Sequence, residues 1–428
     1  MVKNDLLKIK IEKGENLEKQ QTSFSNSLGK LFQEAKDNGI LRIILYPSLE
    51  NIISSLILFN VSLNLSVKPS ISIRLNPPQK INEPTILIGY SNLNYKTSDI
   101  SSALISLAHE INSVPVGNST FVEINGSIGS GIYLALKGSD IINVRPEYAI
   151  LSMASSYASK YVDNAGKFYS LDELVVNRII SNDSNLKMET ITGLKIFRPL
   201  SMDFCKSLSI TLNPIYLTLS NEDVCEKHLR ENGLEGLINS NIGKIDDETM
   251  KNLIISIINL MKNISKRNID PYDYAGAMEI STARIVMEDP REVMYSIMLL
   301  MDTMGFDSVV GLISDYENEY PPIIHHLKYA VNKSVDVILN NRFSKVNQIN
   351  FGKVYTVNDD NLPIGAIQRQ LKILGLIEKD AILGYLDNGI LKLPVLSFEE
   401  SMGYNSASRF VQTFKADFDG DFIWVKIA

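Results

Sequence analysis

Two short, unbroken apolar runs, ILRIILY at 40–46 and PTILIGY at 84–90, do most to limit what this chain can fold into. Each has the length of one strand, and neither alternates polar with apolar residues. Such a strand must be covered on both faces, which is the condition of a parallel sheet flanked by other elements. The sequence around them supplies the cover. LEKQQTSFSNSLGKLFQEAKDNG (17–39) has helical spacing and stops at Gly39, a residue suited to the position after a helix end. LENIISSLILFNVSL (49–63) returns to helical spacing, and SISIRL (70–75) alternates as a strand. SDISSALISLAHEIN (98–112) reads as a helix with Ser98 as N-cap, and SVPVG (113–117) as a strand. GSIGSGIYLALKG (126–138) and RPEYAILSMASSYASKYV (145–162) read as helices.

Beyond 165 the pattern becomes mainly helical, with helices over 246–268, 289–305 and 321–343. From 346 it changes again. FGKVYTVN (351–358), AILGYLDNGILKLPVLSF (381–398) and DFIWVKI (421–427) are strand-like, and 362–375 is an intervening helix. Asp387-Asn388-Gly389 is a hairpin turn signal. The expected fold class is α/β: a parallel-sheet domain over 1–165, a helical connector over 166–345 and a small α/β C-terminal domain over 346–428.

Hydrophobic residues make up 45% of the 428 and charged residues 21%, enough apolar sequence to offset the entropy of ordering. The net charge of −7 excludes a surface built to coat nucleic acid, which needs a basic excess. The two cysteines, Cys205 and Cys225, are too few for a disulfide framework or a four-thiolate zinc site. Their scarcity points to a reducing compartment. The N-terminus is charged throughout, unlike a signal peptide, and no apolar stretch is long enough to span a bilayer. A soluble, cytoplasmic protein is expected.

Ligands of an open parallel sheet bind beyond the carboxyl ends of its strands. The residues that follow the expected strands are Pro47 to Asn51, Tyr90 to Asn92 and Gly117 to Ser119. They hold one carboxylate, Glu50, and no histidine. A two-metal site needs several carboxylates or imidazoles to hold ions ~3.5–4 Å apart. No metal, cofactor or catalytic residue is therefore expected.

The order of elements resembles the DHH phosphoesterase superfamily, in its RecJ-like branch. That family runs from a strand through an Asp-x-Asp loop into a small-residue helix; RIILYPSLENIISSLIL (42–58) keeps the strand, Ser54-Ser55 and the helix, with Ser48 and Glu50 near the aspartates' places. The second family aspartate matches Tyr90 or Ser91, the Asp-His-His motif matches Gly117-Asn118-Ser119, and the fourth aspartate matches Ser156 or Tyr157. GSGIYLALKG (129–138) is similar to the family's Gly-x-Gly helix. Residues 193–220 are similar to its connector, and 274–299 to a helix with a small-residue and Arg pattern. Ile364-Gly365 and NSASRF (405–410) match the DHH-associated domain, whose Gly-Gly-His motif is missing.

Loss of the acidic positions on a retained scaffold is the feature of the cell division control protein 45 group, and the chain looks like an inactive archaeal form of it. The resemblance implies a non-catalytic replication factor of the CMG helicase, localised to the replication fork, with the GINS complex and the MCM helicase as partners and single-stranded DNA as a further candidate. Ser408, Arg409 and Lys415 are the candidate nucleic-acid contacts, Arg being suited to phosphate. The alternative is a divergent metal-dependent exonuclease or phosphoesterase with displaced ligands, for which Glu50, Asp99, His109 and Glu123 are the candidates. Other motifs read structurally. His325-His326 are adjacent helical residues about 100° apart and share no ion. GSIGSG (126–131) suits close helix packing, DDETM (246–250) a helix start, FDGDF (418–422) a turn, and Lys262, Lys266 and Arg267 a helix end.

Overall fold

The apolar run at 40–46 becomes a strand, β2, inside a parallel sheet. The computed structural model describes residues 5–9, 16–139, 142–182, 185–283, 285–346, 351–359 and 361–427. The chain divides into two compact units, residues 1–163 with 167–186, and residues 164–166 with 187–428.

In the first unit the elements run β1 (Asp5–Ile9), α1 (Asn16–Asn38), β2 (Ile40–Leu45), α2 (Leu49–Asn64), β3 (Lys68–Ile73), β4 (Thr85–Ile88), β5 (Leu104–Ala108), β6 (Ser119–Ile124), α3 (Ile128–Lys137), α4 (Pro146–Ala158) and α5 (Ser170–Asn182). The strands form one sheet in the order β1-β6-β5-β4-β2-β3, and every pairing is parallel. Gly39, at a φ of 74°, makes the turn from α1 into β2. Helix α2 is buried along its whole length from Leu49 to Ser62. It packs against β2 and β3 and against α3 and α4, as a helix apolar all round must. Each Leu, Ile or Phe it buries contributes about 1.5–3 kcal/mol.

The expected helix over 98–112 is not there. Residues 97–99 form one 3-10 turn, and Leu104–Ala108 are a strand with all five residues buried. Five buried residues between β4 and β6 satisfy a central strand, and tertiary position overrides the helical spacing. The expected strand at 113–117 is likewise absent: Val114 is 80% exposed, and the strand is β6, two residues beyond that stretch. One face of the sheet is covered by connecting chain instead of a helix. Ile81, Tyr90, Leu93, Tyr95, Ile100 and Ile111 pack there on Ile44, Leu87 and Phe121. The hydroxyls of Tyr90 and Tyr95 each donate at 2.6 Å to a loop carbonyl, those of Arg74 and Pro78.

The second unit holds β7 (Met188–Leu194), α6 (Phe204–Ile210), α7 (Glu222–Glu231), α8 (Asp247–Lys262), β8 (Ala275–Ser281), α9 (Pro290–Thr303), α10 (Phe306–Ser314), α11 (Tyr316–Glu319), α12 (Ile323–Leu339), β9 (Ser344–Lys345), β10 (Val354–Val357), α13 (Ile364–Ile373), β11 (Ile382–Asp387), β12 (Ile390–Pro394), α14 (Val395–Met402), α15 (Ser406–Phe414), β13 (Asp417–Phe418) and β14 (Phe422–Lys426). β7 and β8 pair antiparallel, so 274–299 is a strand followed by a helix instead of one helix; Arg284 within it lies outside the described residues. The C-terminal sheet has the order β13-β14-β12-β11-β10-β9, mixed because β10 and β11 run parallel. Asn388 and Gly389, at φ of 48° and 77°, turn β11 into β12 as the Asn-Gly signal requires. The strand-like reading of 381–398 ends at Pro394, after which Val395–Met402 is helical.

Cys205 on α6 and Cys225 on α7 form a buried disulfide with Cα atoms 5.7 Å apart. This corrects the reading of the two cysteines as thiols of a reducing compartment. Among the described residues no helix is long and apolar enough to cross a membrane.

Candidate functional site

The carboxyl ends of β2, β5 and β6 converge on one polar cluster. Past β2, Ser48 caps α2 by accepting the Asn51 amide at 3.2 Å, which sets Glu50 in the first turn. Past β5 comes His109, one residue beyond the strand. Past β6, Ser127 caps α3, and α4 lends Ser152, Ser155 and Ser156. Asp172 enters from the first turn of α5.

Glu50 and His109 are a pair. His109 Nε2 lies 2.9 Å from Glu50 Oε2, and the other Glu50 oxygen accepts the Ile128 amide at 2.8 Å. His109 Nδ1 faces the Ile124 carbonyl at 3.4 Å. A carbonyl only accepts, so Nδ1 carries a proton. Burial works against the imidazolium, but the charge and hydrogen bond of Glu50 and the Ile124 carbonyl outweigh it, and the pKa is raised above the ordinary histidine value. Tyr161 packs on the ring with centroids 5.6 Å apart, and burial, aided by Glu50 and Asp172, pushes its phenol up to about 12.

Asp172 is fully buried. One oxygen accepts from the hydroxyls of Ser127 at 2.5 Å, Ser130 at 2.7 Å and Ser156; the other accepts the Ser127 amide at 2.7 Å. Burial raises its pKa, and the hydrogen bonds pull the other way. Gly126 makes this approach possible, since a Cβ there would lie 2.8 Å from the Asp172 carboxylate. Gly129 does the same for the helices: its Cβ would meet Ser155 Cβ at 2.5 Å, so the small residues of GSIGSG serve close packing of α3 on α4. The seat for an anion at the start of α3 is thus taken by two of the chain's own carboxylates, Glu50 and Asp172.

This donor set does not suit a metal ion. Both nitrogens of His109 and the oxygens of Glu50 and Asp172 are engaged by protein partners. No group of three or more His, Cys, Asp or Glu among the described residues is placed to hold a metal. Of the four displaced-ligand candidates, Glu50 and His109 meet. Glu123 instead pairs with Lys8 at 3.4 Å, and Asp99 accepts the Lys96 amide at 3.1 Å in its surface turn. Reading the loops as free of histidine was wrong, because the misplaced strand hid His109. Asp172 was missed altogether: in the sequence it is one acid at a helix start, with nothing to link it to serines far away.

Ser408, Arg409 and Lys415 lie on and just after α15, with Arg409 and Lys415 exposed. Arg409 Nε donates to the Asn405 carbonyl at 3.4 Å. The start of α15 is capped by buried Glu399, which accepts the Ala407 amide at 2.6 Å. Likewise Asp302 accepts the Gly365 amide at 2.7 Å at the start of α13, its pKa pushed up to about 7 by burial. His325 and His326 are exposed on α12. Asp246 caps α8 by accepting the Thr249 amide at 2.9 Å. Asp419 accepts the Asp421 and Phe422 amides at 3.0 and 2.7 Å, so FDGDF is a turn.

The architecture is that of a mixed α/β protein whose parallel sheet carries a filled ligand edge and whose C-terminal sheet is mixed. It is the fold of CDC45: the crystal structure of CDC45 from Entamoeba histolytica aligns with a TM-score of 0.58, covering 95% of this chain and 96% of that one, at 12% identity. RecJ in complex with Mn²⁺ from Thermus thermophilus aligns at a TM-score of 0.41 and 8% identity, over 95% of this chain and 52% of that one. Exonuclease RecJ bound to manganese aligns at 0.42 and 9%, over 95% and 90%. No protein-family model and no curated protein matches the sequence.

Proposed function

We propose that the chain is a non-catalytic, RecJ-like scaffold of DNA replication that binds the GINS complex and supports the MCM helicase at the replication fork. One observation carries the reading: at the edge of the sheet where a phosphoesterase would hold metal and phosphate, each polar seat is filled by the chain itself. His109 Nε2 lies 2.9 Å from Glu50 Oε2, where an ion would sit, and Asp172 spends its oxygens on Ser127, Ser130 and Ser156. The CDC45 fold supports the same reading. Folds outlast the sites they once carried, and binding surfaces can persist without chemistry. Contact with single-stranded DNA falls to exposed side chains such as Arg409 and Lys415, beside Ser408, and weakens steeply with salt.

Gel filtration with purified GINS at micromolar concentration and low salt is the test, and co-elution is expected. Labelled single-stranded DNA should survive incubation with Mn²⁺ or Mg²⁺. Separate elution removes the scaffold reading, and turnover lost on Glu50→Gln restores the exonuclease alternative.

A further inference from the structure

In the second unit a cavity of about 330 Å³ lies between the end of α9, the turn from β13 into β14 and one face of the C-terminal sheet, lined by Asp302, Asp419, Asp421, Tyr385, Lys392 and Phe422. Strand register builds its aromatic wall. Tyr385 on β11 stands opposite Lys392 on β12, and Lys392 opposite Trp424 on β14, with Phe422 two residues before Trp424 on the same face. Lys392 Nζ lies 4.0, 4.9 and 5.9 Å from the ring centroids of Phe422, Trp424 and Tyr385. It rests on the rings and forms no ion pair among the described residues.

The carboxylates of the same cavity are left without a cation. Asp302 is 4% exposed; its Oδ2 accepts the Gly365 amide, and its Oδ1 accepts no hydrogen bond among the described residues. Oδ1 of Asp421 is buried and also without a partner. Gly305, at a φ of 82°, lets Asp421 lie against the start of α10, where a Cβ would come within 2.7 Å of Oδ2. Asp419 is spent on the Asp421 and Phe422 amides and on Trp424 Nε1, which donates at 2.8 Å. A buried carboxylate is costly unless it is paired. Burial, with Glu400 adding to it, pushes Asp302 up to about 7 against the Gly365 amide and Arg369. Burial, with Asp419 and Asp307 adding to it, pushes Asp421 up to about 6 against the Phe306 amide and Lys392.

Three carboxylates facing one ammonium leave the cavity short of positive charge, and the donor geometry says which cation fits. These carboxylates are not placed to share one metal ion, since no three acidic, His or Cys groups among the described residues are. An ammonium likewise gathers its three donors at one nitrogen. A guanidinium spreads five over a planar fork and stacks on aromatic faces, so it reaches carboxylates too far apart for a point charge. The volume, at the small end of ligand pockets, suits a single side chain.

We infer that this cavity binds a guanidinium group, the side chain of an arginine carried by a partner protein. The inference rests on the scaffold reading for the existence of a protein partner, and its test uses the isolated full chain so that the two can fail separately. Trp424 is the single tryptophan of the chain, so tryptophan emission reads this site alone. The full chain is titrated with N-acetyl-arginine amide, and in parallel with the lysine amide, the neutral citrulline amide and calcium chloride at equal ionic strength. A saturable change is expected with the arginine compound alone. Its affinity should rise as pH climbs through about 6 and about 7, the values of Asp421 and Asp302. Asp421→Asn and Asp302→Asn keep side-chain volume and an acceptor oxygen, and each should weaken binding about tenfold, the loss of a charge-assisted hydrogen bond. Unliganded variants with wild-type emission show that the fold is kept. No saturable change, equal responses to arginine and citrulline, or binding that survives both variants overturns the inference. Equal saturation by lysine or calcium overturns the choice of a guanidinium, and tighter binding of free arginine than of the blocked amide overturns the choice of a protein side chain. Failure of GINS to co-elute leaves these outcomes unchanged.

Discussion

Replacing Asp172 by alanine tests whether the carboxylate organises the cluster at the end of the sheet. The change removes the acceptor of three hydroxyls and one amide. The hydroxyls have alternatives: Ser127 and Ser130 lie 3.0 Å apart, Ser127 and Ser156 3.1 Å, and Ser156 reaches the Ser152 carbonyl at 3.1 Å. The Ser127 amide has none, and a buried orphan amide costs about 1–3 kcal/mol. With the void left by the carboxylate, the loss should be about 3 kcal/mol. Asp172→Asn keeps the volume, offers its oxygen to the Ser127 amide and donates to the serine oxygens, so it should cost about 1 kcal/mol. Hydrogen exchange across 119–139 and 146–158 during a urea series reads the first unit alone. The sign with pH also follows. The folded pKa of Asp172 is raised, so its contribution is complete below the unfolded value of about 3.9 and is lost as pH rises through the folded value. The penalty of Asp172→Asn is therefore largest in acid and shrinks as pH rises. Equal costs for Ala and Asn, or a penalty that grows with pH, would refute the reasoning.

His109 follows the same rule. Its folded pKa is raised, so the Glu50 pair stabilises fully below about 6.5 and fades as pH rises through the folded value; His109→Gln should cost more stability at mildly acidic than at alkaline pH, and a flat difference in urea midpoints contradicts this. Gly129→Ala should destabilise by about 1–3 kcal/mol in chemical denaturation, with part of the loss recovered in the double variant with Ser155→Gly. The Cys205–Cys225 bond closes a loop of sequence separation 20, so Cys205→Ala/Cys225→Ala should lose about 3 kcal/mol. A reductant should lower the melting temperature of the wild type toward that of this variant, and equal melting temperatures of variant and oxidised wild type would disprove the contribution.

Elements whose burial is uniform were legible in the sequence, and those placed by distant neighbours were not. β2, α2, β4 and α4 announced themselves because apolar length and helical spacing each permit one reading. SDISSALISLAHEIN carries both signals, and only the slot between β4 and β6 decides for strand. That single error moved the expected site from His109 to Gly117. The absence of acidic side chains at Ser48 and Ser156 themselves was readable, since it depends on residue type alone. The arrival of Asp172 among Ser127, Ser130 and Ser156 was not, because α5 reaches the cluster through tertiary packing and a lone acid in a first turn is common. The disulfide was hidden for a similar reason: two cysteines twenty residues apart acquire meaning only when α6 and α7 lie side by side.

Among the described residues β1 pairs only with β6, Asp5 opposite Thr120 and Ile9 opposite Ile124, at the edge of the sheet. A parallel partner so distant in sequence cannot be met early, since the loop must close before any pairing energy returns. During synthesis β1 must wait for most of its unit to follow. β2, β3, β4 and β5 can assemble in the meantime, leaving β1 to dock last. Until then β6 offers an open parallel edge, and the nascent chain is exposed to pairing with the wrong strand.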